Sequence, residues 1–83
     1  MNTLEKILEY YEDDEFLKAD GFDDAVIGVD SISMRLIYSI EKCVEILMKD
    51  EMTQEDALDY LSFNTINSYV GDQTPIFIYT FQD

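Results

Sequence analysis

Leu4, Ile7, Leu8 and Tyr11 recur at i, i+3, i+4 and i+7, the stripe of an amphipathic helix, with Glu5, Glu9, Glu12 and Asp13 off the stripe. Asn2 stands at the N-cap position and Glu5 follows three residues later, the capping-box spacing. Together they predict a helix over about 3–13. The phase then breaks. Positions 14 and 15 are acidic, Phe16 and Leu17 fall on another face, and Asp20-Gly21 reads as a stop. "AVIGVD", residues 25–30, is short, rich in β-formers and followed by polar residues, which predicts a strand.

The next stretch supports two readings. As one helix, Leu36, Ile37, Ile40, Cys43, Val44 and Leu47 form a continuous stripe. As strand then helix, residues 34–38 pair back onto 25–30 and Ser39 caps a helix over 40–49. The second reading gives the first strand a partner and is preferred, with residues 31–39 the segment on which the two differ. Thr53 and Asp56 repeat the capping spacing, and Glu55 and Asp56 suit the positive end of a helix dipole. A third helix is predicted over about 54–70, with Leu58, Leu61, Ile66 and Tyr69 on its apolar face and Gly71 as its stop.

A last strand is predicted over about 74–80, with Pro75 near its start, where a missing amide is tolerated. In it Ile76 and Ile78 alternate with Phe77, Tyr79 and Phe81. The isoleucines are expected to face the helices and the aromatic row to lie on the other, partly open face. The sum is an α+β fold, a small three-stranded antiparallel or mixed sheet packed by three helices, in a single domain over residues 1–83.

Composition fits one domain: 83 residues, of which 47% are hydrophobic, enough for a core. Charge changes the picture more. Nineteen acids stand against five bases and no histidine, a net charge of −14. Such a surface argues against nucleic acid or an anionic membrane as direct ligand, since both are polyanions. The expected partner is a basic protein, or one that normally binds a polyanion. Cys43 is the only cysteine, so no internal disulfide forms and a reducing compartment is expected. The first residues do not resemble a signal peptide, and no apolar run approaches the roughly 20 residues of a membrane span, so a soluble cytoplasmic protein is expected.

Most chemistry fails on inventory. Without histidine there is no conventional nucleophilic triad or histidine metal site. Cys43 falls on a core face and reads as a buried, inert thiol. Gly21, Gly28 and Gly71 do not form a phosphate-binding loop. The acids at 12–15 and 20–24 miss the calcium-loop spacing, because the position five before Gly21 is Phe16. No catalytic residue, metal or cofactor is expected.

Binding remains. Residues 1–30 hold ten acids and two lysines, and residues 50–59 hold five acids and no base. Carboxylates three or four positions apart on a helix lie about 5–6 Å from each other, so such a face can occupy a site built for a nucleic-acid backbone. Glu5, Glu9, Glu12, Asp13, Asp14 and Glu15 are the candidate partner-binding acids. The alternative is an acidic surface that serves solubility alone. Tyr60 and Phe63 lie off the stripe of the third helix, and either cover a second part of the core, the favoured reading, or form an exposed anchor patch. With Tyr79 on an open strand face, they would support a homodimer instead.

The phrases "DDAVIGVD", "RLIYSIEKCVEILM", "MTQEDALDYLSFN" and "YVGDQTPIF" together resemble a widespread group of short acidic proteins encoded by tailed bacteriophages. The likeness covers about residues 20–78, and its most specific part is Phe63-Asn64, Tyr69-Val70-Gly71 and Thr74-Pro75-Ile76. It supports the hairpin reading of residues 35–39 and implies action inside an infected bacterial cell, with no catalytic residues to transfer. The function expected is a non-catalytic inhibitor of a host protein. An accessory or assembly subunit of the phage's own machinery is the alternative.

Overall fold

A computed structural model describes residues 2–63, 71 and 73–81. Helix α1 covers Thr3–Tyr10, a 3₁₀ turn covers Asp23–Ala25, and strands β1 (Val26–Val29) and β2 (Leu36–Ser39) form a hairpin. Helices α2 (Ile40–Lys49) and α3 (Gln54–Leu61) follow, and strand β3 (Ile76–Ile78) closes the order. The fold is α+β, with one mixed sheet in the order β1-β2-β3.

The hairpin reading of residues 31–39 holds. Val26 pairs with Tyr38, Gly28 with Ile37 and Val29 with Leu36, antiparallel, with a bulge that leaves Ile27 as the extra residue. The turn is fixed by Asp30, whose carboxylate accepts from the Ile32 and Ser33 amides and from the Ser33 hydroxyl. Met34 takes a positive φ of 58° to complete it. Strand β3 runs parallel to β2, with Tyr38 opposite Phe77 and Ser39 opposite Ile78. A parallel neighbour needs a long crossover, and the chain supplies one through α2 and α3.

The predicted caps form. Asn2 accepts from the Glu5 amide at 2.8 Å, Ser39 from that of Lys42 at 3.2 Å, and Thr53 from that of Asp56 at 3.1 Å. Ser39 is at once the last residue of β2 and the cap of α2, so strand and helix meet without a linker. Ser39→Ala is expected to cost about 0.5–2 kcal/mol, the usual value of an N-cap, read as a lower urea midpoint with an unchanged m-value.

Tyr38 is the centre of the core. It is fully buried, stacks on Phe77 with ring centroids 5.2 Å apart, and its hydroxyl accepts from the Ala19 amide at 2.8 Å. Leu36 lies beside it on the same strand face, and α1 adds Leu4 and Ile7. From α2 come Ile40, Cys43, Val44 and Leu47, the i, i+3, i+4, i+7 stripe read in the sequence. Helix α3 adds Ala57 and Leu61.

Three expectations need correction. Helix α1 stops at Tyr10, not 13, because Glu12–Glu15 would crowd the negative end of the helix dipole, where no base stands in the last turn. Leu8, at the edge of its stripe, is exposed. Within β3 the faces are the reverse of those expected, although Tyr79 and Phe81 of the aromatic row are exposed as expected. Parallel register puts Phe77 on the same face as buried Tyr38, so the aromatic ring packs on the core. Ile76 is half-buried, Ile78 is exposed, and neither is among the described residues that pack on the core. The predicted continuation of α3 over 64–70, with Ile66 and Tyr69, lies outside the described residues.

Candidate functional site

The acidic limb begins on α1. Leu4 and Ile7 turn toward β1 and the 3₁₀ turn, against which α1 packs, and this leaves Glu5 and Glu9 on the solvent side one helical turn apart. The Asn2 side chain ties the helix start to that turn by donating to Asp24 at 3.2 Å. Beyond Tyr11 the chain is irregular, and Glu12, Asp13, Asp14 and Glu15 are all exposed along it. The helical array of carboxylates is therefore Glu5 and Glu9 only, continued by a non-helical acidic tract. That tract is anchored at both ends: Tyr11 and Phe16 pack on the core with their rings edge to face, and Ala19 is held by Tyr38. All nine carboxylates from Glu5 to Asp24 face solvent.

The aromatic candidates lie elsewhere. Tyr60 and Phe63 are exposed, Phe63 at 82%, so the favoured core reading of this pair is corrected. Tyr60 sits off the side of α3 that Ala57 and Leu61 press against the core, and Phe63 lies two residues past its end. Tyr79, 54% exposed, lies past the end of β3 and lines a groove between α2 and α3. Because α3 packs on α2 while α1 packs on β1, the predicted residues divide into two surfaces.

That groove encloses about 340 Å³. Ile40, Val44 and Leu58 form its floor, Met48 and Tyr79 its walls, and Glu41, Glu45 and Gln54 its polar rim. Glu41 has a further task. Its carboxylate accepts from the Thr80 amide at 3.0 Å, the Phe81 amide at 3.0 Å and the Thr80 hydroxyl at 3.1 Å. These backbone donors hold the Glu41 carboxyl down at about 2. The segment after β3 is thus fastened to the first turn of α2, and Tyr79 is held at the groove's edge.

Sequence reasoning missed Glu41, the groove and Ile32. Glu41 stands in the first turn of α2, where an acid reads only as a dipole partner; nothing local announces a partner 39 residues further on. Ile32 had a signal, an apolar side chain within a polar turn, and is 92% exposed at the hairpin tip. Hydrogen bonds from Ser33 lower the Asp30 carboxyl below its ordinary value. Cys43 is fully buried and burial pushes its thiol up to about 12, as the inert reading requires.

Among the described residues no group of three or more histidine, cysteine or acidic side chains is placed to hold a metal ion. No helix among them is long and apolar enough to cross a membrane. No protein-family model, curated protein or solved structure matches the chain.

Proposed function

We propose that this is a non-catalytic phage protein that binds and inhibits a basic, nucleic-acid-handling protein of the bacterial host, through the acidic limb of residues 5–24. One observation carries the reading: every carboxylate from Glu5 to Asp24 is exposed, on a limb whose apolar side is anchored by Leu4, Ile7, Tyr11 and Phe16. A charged surface on an anchored backbone is pre-organised, which lowers the ordering cost of binding. Its field speeds encounter with a cationic partner and repels nucleic acid and anionic lipid. Phage origin and the host target rest on the sequence resemblance alone.

The test is capture from bacterial lysate on the immobilised protein, at low and then high salt, beside a variant carrying Glu5→Gln, Glu9→Gln, Glu12→Gln and Asp13→Asn. The substitutions preserve size and remove four negative charges. A basic protein held at low salt, shed at high salt and retained about ten-fold less by the variant is the expected result, on the scale of interfacial charge pairs. Equal retention by both proteins refutes the acidic limb as the contact.

A second reading is favoured by the exposure of Phe63 and Tyr60, which lie close in sequence near the end of α3. It makes the chain an accessory or assembly subunit that self-associates through these rings and Tyr79. Sedimentation of the wild type and of Phe63→Ser separates the two: a salt-indifferent oligomer that the substitution dissolves supports assembly.

A further inference from the structure

We propose that the groove between α2 and α3 is a second docking site, and that its occupant is a basic amphipathic helix of a partner protein. The geometry fits that class of ligand. At about 340 Å³ the groove is at the small end of ligand-site volumes, room for two apolar side chains one helical turn apart. Its floor of Ile40, Val44 and Leu58 continues the buried core, so an inserted side chain meets packed apolar atoms and not water. Met48, half exposed on the wall, is unbranched and adapts to the shape of an incoming group. Helix-in-groove recognition works through apolar anchors at i and i+3 or i+4 laid into such a cleft.

Charge selects the sign of the occupant. Glu45 is exposed on the rim as the pairing group, and Glu41 beside it, its oxygens taken up by the Thr80 and Phe81 amides, adds negative charge to the field. The whole chain adds a net −14. A helix that presents lysine or arginine beside its apolar anchors pairs with the rim, while an acidic helix is repelled. The same argument disfavours a second copy of this chain: α3 brings Glu55, Asp56 and Asp59 with no base, and α1 brings Glu5 and Glu9 against Lys6. Helix α2, in which Lys42 and Lys49 balance Glu41 and Glu45, has its apolar stripe buried in the core. The acidic limb and the groove thus both favour a cationic ligand. The proposal borrows from the preceding reading only the partner's charge and places its contact on different residues.

Two synthetic helical peptides test it, one with leucines at i, i+4 and i+7 flanked by lysines, the other with alanine for every leucine and the same lysines. Affinity is measured by fluorescence anisotropy at moderate salt, and contacts by amide chemical-shift changes. The leucine peptide is expected to bind about ten-fold more tightly than the alanine peptide, with shifts centred on Val44, Met48 and Leu58. Met48→Lys, at an exposed position that leaves the core intact, is expected to weaken it about ten-fold, and Glu45→Lys by several-fold. Equal affinity for the two peptides, shifts centred on α1, or indifference to Met48→Lys each overturns the proposal. Glu5→Gln with Glu9→Gln separates the two sites. If host-protein capture survives the four-site change at Glu5, Glu9, Glu12 and Asp13 as well, while the leucine peptide still binds the groove, the acidic-limb reading falls and the groove stands.

Discussion

Tyr38→Ala is expected to remove about half of the protein's stability. Emptying a fully buried aromatic site costs about 3–5 kcal/mol. A chain of 83 residues has a total stability of about 4–12 kcal/mol. The loss is compounded because the ring has two partners: it stacks on Phe77 across the β2–β3 pair, and its hydroxyl holds the Ala19 amide. Tyr38→Phe divides these roles. It keeps the stack and orphans one amide at a half-buried residue, where water can partly substitute, so its cost falls at the low end of about 1–3 kcal/mol. Urea unfolding followed by circular dichroism checks both. Hydrogen exchange of the Tyr38→Phe variant adds a local signature, a loss of protection at Ala19 larger than the small uniform loss at the β2 amides. A Tyr38→Phe variant as unstable as Tyr38→Ala would show that the hydroxyl, not the ring, organises the core.

Tyr38 also marks the limit of what local sequence signals carry. Helices α2 and α3 are legible because those signals agree: a capping hydroxyl at Ser39 or Thr53, acids in the first turn, and for α2 a full apolar stripe. The hairpin is legible only as a preference, since Leu36 and Ile37 fit a helical stripe as well as a strand. Alternation in β3 is legible too, but period 2 says which residues share a face and not which face is inside. That choice is made by the parallel register with β2, a contact between residues 39 apart, and by the aromatic stack it permits. The anchoring of residues 11–22 is illegible for the same reason. No periodicity marks an irregular segment whose backbone is held by a tyrosine hydroxyl from a strand later in the chain.

Of the candidate site, the exposed carboxylates are legible from composition, because acids are rarely buried without partners. Their arrangement is not. The acidic run that nominates Glu12–Glu15 as part of a helical face is itself what ends the helix, so the strongest charge signal removes the geometry inferred from it. Placing Phe63 and Tyr60 in the core rests on a general tendency of large apolar residues to be inside, a rule that does not hold in reverse. The groove needs α2, α3 and the end of β3 to be assembled together, and no short stretch of sequence contains all three.

Glu41→Gln is expected to loosen the segment after β3 and to change how stability depends on pH. The carboxylate accepts from two amides and a hydroxyl of Thr80 and Phe81, and its pKa is lowered from an ordinary 4.5 to about 2, chiefly by the Thr80 amide and then by that of Phe81. A folded-state pKa below the unfolded one gives a contribution that is complete above about pH 4.5 and drains away as pH falls toward about 2. Protonation of the other carboxylates relieves the self-repulsion of a −14 chain over nearly the same range and acts in the opposite direction. Comparing wild type with Glu41→Gln removes that shared background. The midpoint of thermal unfolding should be lower in the variant at neutral pH, and the gap should close between about pH 4.5 and pH 2. A gap independent of pH would mean that the carboxylate's charge contributes nothing to holding the segment. Thr80 and Phe81 amides should exchange faster in the variant while those of α2 do not. Tyr79 precedes these two residues and forms one wall of the groove, so the same substitution should weaken the leucine peptide there by more than the loss of one rim charge at Glu45→Gln does. Glu41 is then the residue through which the end of the sheet sets the shape of the groove.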